Sequence, residues 1–329
     1  MPIFSANCKR PNLTQAPLLI LIPVYNDWIS LQQLLSGLET ALPPAYSGHC
    51  HLLLVDDGSS EPAPTEWPAG FIVTLLQLTH NIGHQKAIAI GLSHAYHHLS
   101  FDRIIIMDSD GEDRPEDVTA LLQAADKTGG VVVAKRVSRQ EGPLFRWFYW
   151  LYKLMFYLLT GQRISFGNFM LLGRKEVDTL VHYSEIWNHL AGAVLKSRMP
   201  YTAITAHRGR RYAGQSKMNF NALLLHGLGA IGVFIERIAS RLLIFSLALI
   251  FISILAIGVT MFIKIFTASA IPGWATTVVS SMLIVLLQSF LLSLFTIFLY
   301  LSAQGQRKFI PALHYMDYVR RIHQKKAGE

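Results

Sequence analysis

The sequence is poor in charged residues and in cysteine. Charged residues make up 15% of its 329 positions, against about 25% in ordinary soluble domains, and the mean hydropathy is +0.34. This composition excludes a disordered protein and an ordinary, fully soluble enzyme. The two cysteines, Cys8 and Cys50, are too few for a disulfide framework and too far apart for a C-x-x-C metal or redox motif. We therefore expect free thiols in a reducing compartment.

Two common nucleotide-binding motifs and a zinc pattern are also missing. The first predicted strand is not followed by G-x-G-x-x-G, and G-x-x-x-x-G-K-[ST] does not occur, which argues against a dinucleotide-binding domain and a P-loop NTPase. Three histidines, His94, His97 and His98, stand at one-turn spacing, but no cysteine or Glu-x-x-His pattern accompanies them. We expect them to interact with the dipole at the end of a helix.

Charge is absent from two long segments near the C-terminus. Residues Leu242 to Ile263 contain no charged side chain, and a helix of this length spans about 33 Å, enough to cross the hydrocarbon core. A second uncharged run extends from about Ala275 to Ser302. We predict two transmembrane helices within residues 242–302. Two spans leave lipid-facing surface that homo-oligomers commonly bury, so a homo-oligomer is compatible with the sequence.

Basic residues predict the orientation of these spans. The loop between them, residues 265–276, has no Lys or Arg, whereas basic residues flank the pair, and such residues favour the cytoplasmic side. Both termini and the first 241 residues are therefore predicted to be cytoplasmic. The flanking basic residues are Arg237, Arg241, Arg307, Lys308, Arg320, Arg321, Lys325 and Lys326.

The net charge of +8 indicates an anionic partner. A cluster without any acidic residue contains Lys196, Arg198, Arg208, Arg210, Arg211 and Lys217. Because these residues precede the predicted spans, we expect them to bind phosphate rather than nucleic acid, as a flexible loop whose arginines make forked contacts. The alternative is a solvated basic face that touches anionic lipid.

Apolar runs and helical periodicity alternate before the spans, which predicts a doubly wound, mostly parallel α/β sheet. In such a sheet ligands bind beyond the carboxyl ends of the strands, where three polar clusters fall, at residues 25–27, 56–59 and 108–110. The predicted strands are Leu18 to Val24, His51 to Val55, Phe71 to Leu76, Arg103 to Met107 and Val131 to Ala134, and the helices cover residues 28–41, Ile82 to Leu99 and Pro115 to Lys127.

The carboxylates after the fourth strand predict a metal site. In an extended segment Asp108 and Asp110 point the same way, and Glu112 follows if the extension continues. Clustered carboxylates repel one another unless a cation neutralises them, and oxygen ligands suit Mg²⁺ or Mn²⁺. A turn with capping aspartates is the alternative, which a second acidic turn at Asp56-Asp57 makes less favourable.

Taken together, these motifs resemble the family-2 glycosyltransferases of GT-A fold. The resemblance rests on Ile22-Pro-Val-Tyr-Asn-Asp27, Val55-Asp-Asp-Gly-Ser-Ser60, His80-Asn-Ile-Gly83 and Met107-Asp-Ser-Asp-Gly-Glu-Asp-Arg-Pro-Glu116. Later segments, Lys135-Arg136, Gly167 to Arg174 and Arg211 to Met218, followed by two spans, are similar to the branch that uses dolichyl or undecaprenyl phosphate. That branch continues its D-x-D as L-Q-D-P-P-E, and here Gly111, Glu112 and Arg114 replace three of those residues.

This resemblance implies a membrane-anchored, metal-dependent, inverting transferase that moves one sugar from a nucleotide donor, UDP or GDP, to polyprenyl phosphate on the cytoplasmic face. It also implies roles for individual positions. The resemblance assigns the donor nucleotide to Pro23, Tyr25, Asn26, Asp27, Asp56, Asp57, Asn81 and Asp108, and the metal ion to Asp110 and Glu112. It assigns the acceptor phosphate to Arg136, Arg139, Arg211, Ser216 and Lys217. The residues implied in catalysis are Asp108, Asp110, Arg136, Arg211 and Lys217.

The expected domain organisation follows from these assignments. Residues 1–15 form a tail, 16–218 the catalytic domain with an interfacial helix at 144–160, 219–241 an amphipathic juxtamembrane helix, 242–302 the two spans, and 303–329 a basic cytoplasmic tail.

Two other functions stay open. One is transfer to a lipid or saccharide hydroxyl, or polysaccharide synthesis, although the Gln-x-x-Arg-Trp motif of processive enzymes is absent. The other is a degenerate, non-catalytic membrane scaffold.

Overall fold

A computed structural model of the protein describes residues 18–46, 48–136, 143–214, 227–267, 273–305 and 308–325. Within these residues the chain forms two compact units. The sheet unit contains the chain up to Leu151, Arg163–Val233 and the segment from Phe309 onward, and the hairpin unit contains Tyr152–Gln162 and Phe234–Lys308.

The sheet unit is built on one mixed sheet, in which the described strands run in the order β7-β5-β6-β4-β1-β2-β3-β8. The central strands pair in parallel, whereas β6 and β8 run antiparallel to their neighbours. This is the mostly parallel sheet that the sequence predicts. The strands are β1 (Leu18–Val24), β2 (Cys50–Asp56), β3 (Phe71–Leu78), β4 (Arg103–Ile106), β5 (Val131–Arg136), β6 (Met170–Gly173), β7 (Tyr201–Ala206) and β8 (Val319–Lys325).

Helices of the sheet unit pack against this sheet through apolar stripes. In the first helix Leu31, Leu34, Leu35 and Leu38 recur at helical spacing and are fully buried. The third begins with Pro115, whose missing N–H costs nothing in the first turn. Over both units, the α-helices of the described residues are α1 (Trp28–Ala41), α2 (His84–His98), α3 (Pro115–Thr128), α4 (Pro143–Thr160), α5 (Arg174–Val181), α6 (Leu190–Lys196), α7 (Ile235–Phe266), α8 (Trp274–Gly305) and α9 (Pro311–His314). Helices α7 and α8 belong to the hairpin unit.

The C-terminal segment, which the sequence predicts as a basic cytoplasmic tail over residues 303–329, contributes a strand to the sheet. Strand β8 pairs antiparallel with β3 in register from Val73↔Lys325 to Leu76↔Ile322. Tyr315, just before it, is buried, and its hydroxyl lies 2.6 Å from His98 Nε2. The chain therefore returns to the sheet unit after the second long helix, and much of residues 303–329 belongs to that unit.

The hairpin unit contains two helices, α7 and α8, that are long and apolar enough to cross a membrane. Helix α7 begins at Ile235 rather than Leu242, so it continues through the C-terminal part of the predicted juxtamembrane helix. Of that predicted helix only residues from 227 are described, and these are helical over 227–232 before a turn. The predicted interfacial segment is helical as α4 and exposes Trp147, Trp150 and Leu158. Its location at a lipid interface stays a prediction.

Small polar side chains line the contact between α7 and α8. Ser246 and Ser293 are buried, and their hydroxyls lie 2.6 Å apart. Such residues let helix backbones approach closely without leaving polar groups unpaired in hydrocarbon. The buried polar residues at this contact are Ser246, Ser253 and Thr260 on α7 and Ser289, Ser293 and Thr296 on α8.

Replacing Ser246 with leucine is expected to destabilise this hairpin by about 1–3 kcal/mol, because the larger side chain overpacks a close helix contact. Ser246→Ala removes one interhelical hydrogen bond and is expected to cost about 0.6 kcal/mol. Thermal unfolding of the full chain in detergent, followed by circular dichroism, measures whether the leucine variant is less stable than the alanine variant. Equal stability of the leucine and alanine variants would contradict the packing described.

Candidate active site

The turns after β1 and β2 are tied together by Asn26. Its backbone N–H donates to Ser59 Oγ at 2.9 Å, and its side-chain Oδ1 accepts from the backbone N–H groups of Ser60 at 2.8 Å and Glu61 at 3.1 Å. Asn26 has φ +49, a left-handed conformation that asparagine tolerates better than most residues. Before it, Pro23 is buried in β1 and Tyr25 is exposed. These contacts place the first two polar clusters side by side.

Asp57 fixes the next turn along the sheet edge. Its two carboxylate oxygens accept the backbone N–H groups of Ile82 at 2.8 Å and Gly83 at 3.0 Å, next to the exposed Asn81. Burial raises the pKa of Asp57, and these two hydrogen bonds offset part of that rise. Because both oxygens bind backbone groups, Asp57 stabilises the start of α2. The neighbouring Asp56 accepts from the backbone N–H of Ser59 at 2.9 Å.

Gly58 between these clusters has a conformation that only glycine accepts without strain. Its φ is +71, and a Cβ there would lie 2.5 Å from the carbonyl carbon of His80. This close approach brings the turn after β2 against the turn after β3, so that Asp56, Asp57 and Asn81 share one end of the sheet.

The third acidic cluster is a turn rather than an extended strand. Strand β4 ends at Ile106, and Gly111 has φ +84. Asp113 Oδ2 accepts the backbone N–H of Asp108 at 3.0 Å, and Asp110 Oδ1 accepts that of Glu112 at 2.9 Å. The carboxylates therefore meet through a closed turn, which the alternation argument from the sequence did not predict.

This turn concentrates negative charge at the edge of the sheet. Burial raises the pKa of Asp110 to about 6, with Asp108 and Glu112 acting in the same direction, while Arg211 lowers it. Burial also raises the pKa of Asp113, which the adjacent Arg136 guanidinium partly offsets. Both carboxyl groups would be stabilised in their charged form by a further cation.

Three arginines contact these carboxylates. Arg211 bridges the site, since its Nη2 lies 2.5 Å from Asp27 Oδ2 and its Nη1 lies 2.9 Å from Asp110 Oδ2. Arg208 makes a forked contact with Glu112, at 2.6 Å and 3.0 Å. Arg136, at the end of β5, lies 2.7 Å from Asp113 and 3.3 Å from Glu112. Residues from the ends of β1, β4, β5 and β7 thus form one cluster.

Several site residues assigned from the sequence lie outside the described part of the chain. These are Arg139, Ser216 and Lys217. Of the described ones, Asp27, Asp108, Asp110, Glu112, Arg136 and Arg211 lie together in the cluster above, and Pro23, Tyr25, Asn26, Asp56, Asp57 and Asn81 lie in the adjoining turns.

The carboxylates fit a hard divalent cation by their chemistry. Mg²⁺ is usually bound by one or two carboxylates together with substrate phosphate and water, and Asp108 and Asp110 are oxygen donors in a charge-rich turn. Among the described residues no group of three or more His, Cys, Asp or Glu side chains is arranged to hold a metal ion. The Glu112 carboxylate, a predicted ligand, is engaged by Arg208 and Arg136.

Sequence reasoning gave no firm role to three further residues of the cluster. His84, at the start of α2, has its Nε2 3.1 Å from Asp108 Oδ1 and 3.0 Å from Asn168 Nδ2. Burial lowers the pKa of His84, but the charges of Asp108, Asp113 and Asp57 more than offset this, and the net pKa is raised. Asn168 could have been identified from the sequence by its position in the Gly167 to Arg174 segment. Asp113 could have been identified because it directly follows Glu112 in the acidic cluster.

Comparison with known proteins gives the following matches. Residues 19–180 match the family model "Glycosyl transferase family 2". An uncharacterised glycosyltransferase of Bacillus subtilis, YkcC, is 27% identical over 80% of this chain and 82% of its own length. The undecaprenyl-phosphate 4-deoxy-4-formamido-L-arabinose transferase of Salmonella choleraesuis is 29% identical over 62% of this chain. The match spans 63% of that transferase, slightly less than two thirds of its length.

Among solved structures, a glucosyl-3-phosphoglycerate synthase of Mycobacterium tuberculosis, in complex with Mn²⁺, UDP and glucosyl-3-phosphoglycerate, aligns with a TM-score of 0.47 and 12% identity. That alignment covers 69% of this chain and 85% of the synthase. TarS of S. aureus aligns with a TM-score of 0.43 and 15% identity, over 69% of this chain and 65% of TarS.

Proposed function

We propose that this chain, whose residues 19–180 match the family model "Glycosyl transferase family 2", moves one sugar from a nucleotide-sugar to polyprenyl phosphate, with inversion at the anomeric carbon. The observation that carries the proposal is the bridge from Asp27 through Arg211 to Asp110. It joins the turn after β1, which the family resemblance assigns to the nucleotide, to the D-x-D turn and to a basic loop. The similarity to the undecaprenyl-phosphate 4-deoxy-4-formamido-L-arabinose transferase of Salmonella supports the acceptor class.

The donor nucleotide is assigned to the linked turns of the sheet edge. Asn26, Asp56 and Asp57 order these turns through backbone hydrogen bonds. Tyr25 and Asn81 are exposed there, and we assign contacts with the base or ribose to them. UDP and GDP sugars are both donor candidates.

Mg²⁺ or Mn²⁺ is assigned to Asp110, with Asp108 beside it. When bound, such an ion acts as a Lewis acid that neutralises the diphosphate of the donor. Side chains of the protein bind and orient this ion. Asp108 and Asp110 supply oxygen donors, and His84 orients Asp108 from 3.1 Å.

The acceptor phosphate needs cations rather than a general base. Its oxygen is anionic near neutral pH, so it attacks the anomeric carbon directly, the bond from that carbon to the diphosphate oxygen breaks, and the nucleoside diphosphate leaves with the electron pair. Arg211 and Arg136 reduce the repulsion between the two phosphates. By the family resemblance, Arg139, Ser216 and Lys217 extend this phosphate site.

The two long apolar helices are assigned to the membrane, with the sheet unit on the cytoplasmic side. The uncharged loop 265–276 and the basic flanks support this orientation.

The test uses the full chain in nanodiscs that contain undecaprenyl phosphate. A panel of UDP- and GDP-sugars is added with Mg²⁺ or Mn²⁺, and lipids are analysed by mass spectrometry. One donor is expected to give a lipid carrying one sugar on a single phosphate. A sugar on a lipid hydroxyl, a polymer, or no product with any donor would contradict the proposal.

The pH dependence of metal binding gives a separate prediction. Because the pKa of Asp110 is raised to about 6, this carboxyl is mostly protonated at pH 5 and mostly ionised at pH 7, and metal binding requires the ionised form. The affinity of the nucleotide-free protein for Mn²⁺ is expected to rise about tenfold over this range. Calorimetric titration at both pH values measures it, and a pH-independent affinity would contradict the assignment to Asp110.

A further inference from the structure

We propose that Gly111 and Glu112 form a receptor for the arginine loop, defined here as residues 207–214, and that Glu112 and Arg208 are positioning residues which set Arg211 between Asp27 and Asp110. This inference rests on the proposed function for the role of Arg211, but the receptor itself is a property of the substrate-free protein.

The backbone of the loop docks on the D-x-D turn through two hydrogen bonds. Tyr212 N–H donates to the carbonyl oxygen of Asp110 at 3.0 Å, and Gly209 N–H donates to that of Glu112 at 2.9 Å. A Cβ at position 209 would lie 2.2 Å from the Gly111 carbonyl oxygen. The approach is thus close enough to require glycine at this point of the loop.

The side chain of Glu112 holds the loop at a second point. Both of its oxygens accept from Arg208, at 2.6 Å and 3.0 Å, and Arg136 contacts it from β5 at 3.3 Å. Only 19% of the Glu112 side chain is exposed. A forked, partly buried contact of this kind is stronger and more directional than an exposed ion pair.

The missing side chain of Gly111 provides a third point. Its φ is +84, and a Cβ there would lie 2.3 Å from Cδ2 of the Tyr212 ring. The ring therefore occupies the space that any larger residue at position 111 would fill. Gly111 and Glu112 are the two positions at which the sequence departs from the L-Q of the resembling branch, and both contact the arginine loop.

These three contacts are made by residues 208, 209 and 212, not by Arg211 itself. The loop backbone can therefore stay docked while the Arg211 guanidinium moves from the carboxylates to a phosphate. Glu112 acts through Arg208 and the loop, as a counter-charge for the arginines and not as a ligand of the metal ion.

The first test is limited trypsin digestion of the full chain without substrates, with cleavage after Arg210 and Arg211 followed by mass spectrometry. Glu112→Gln and Arg208→Gln are each expected to speed cleavage about tenfold, the equivalent of about 1.4 kcal/mol, and the double variant is expected to add little more. Arg208→Lys should restore part of the protection. Glu116→Gln is the matched control, because it removes the exposed Arg114–Glu116 pair.

The second test is kinetic and separates this inference from the proposed function. Glu112→Gln is expected to raise the KM for undecaprenyl phosphate about tenfold, while the dependence on Mn²⁺ concentration stays as in the wild type. Unchanged cleavage, additive effects in the double variant, or a weakened Mn²⁺ dependence would overturn the inference. The absence of any lipid-linked product in the wild type would overturn the proposed function alone, since the digestion needs no substrate.

Discussion

Asp110→Asn is expected to lower kcat about a thousandfold in a protein that remains folded. Asp110 is the carboxyl group assigned to the divalent ion, and Lewis-acid stabilisation of a leaving group is worth several kcal/mol, with each 1.36 kcal/mol equal to a factor of ten. The amide keeps the shape of the side chain and its acceptor oxygen for the Glu112 N–H. The folded structure should therefore persist while the charge is lost.

The rate of formation of the lipid-linked sugar, at saturating donor and metal, measures this effect. Asp126→Asn is the matched control, since Asp126 is an exposed aspartate that pairs with Arg103 and is expected to leave the rate unchanged. A rate within tenfold of the wild type for Asp110→Asn would show that the assigned carboxyl group does not carry the metal chemistry.

Removal of residues 309–329 is expected to prevent stable folding of the sheet unit. The deletion uncovers β3 along the register from Val73 to Leu78 and takes away the buried Tyr315. Strand β3 would then be an unpaired edge strand with apolar side chains, and such an edge favours aggregation. Full-length protein and the truncated chain are compared by size-exclusion chromatography and thermal unfolding in the same detergent.

A point variant tests the contribution of the C-terminal segment to stability without truncation. Tyr315→Ala removes a buried ring that stacks on His97 at 5.7 Å between centroids, so it is expected to cost about 3–5 kcal/mol and lower Tm by about 10 °C. Ile322→Thr, at an exposed position of β8, serves as the control and should change stability by less than about 0.5 kcal/mol. A truncated chain with wild-type Tm would show that residues 309–329 are dispensable for the stability of the sheet unit.

The predictability of the sheet depended on how deeply each strand is buried. Strands β1, β2 and β4 are continuous apolar runs because both faces are covered, and their bounds differ by one residue at most from those predicted. Strand β8 was not predicted, since its residues are mostly charged or polar and exposed. What makes it a strand is its partner β3, far away in the sequence, and no local pattern encodes that pairing.

In the candidate site, too, some residues could be identified from the sequence whereas their long-range contacts could not. Asp56, Asp57, Asp108 and Asp110 could be found because they follow apolar strands in a parallel sheet. The pairings of Arg208 with Glu112 and of Arg211 with Asp27 join residues 96 and 184 positions apart, so charge alone could identify a basic loop but not its partners. Likewise, the role of Gly111 becomes visible only when Tyr212 lies against it.

Electron paramagnetic resonance of Mn²⁺ with the full chain tests the central claim most directly. If the acidic turn holds a divalent ion for a nucleoside diphosphate, adding UDP or GDP to the wild-type protein is expected to convert free Mn²⁺ into a protein-bound signal, with one of the two nucleotides clearly more effective. The same titration of Asp110→Asn should leave Mn²⁺ as in a protein-free mixture with the nucleotide. A bound signal that is identical in wild type and variant would contradict the account.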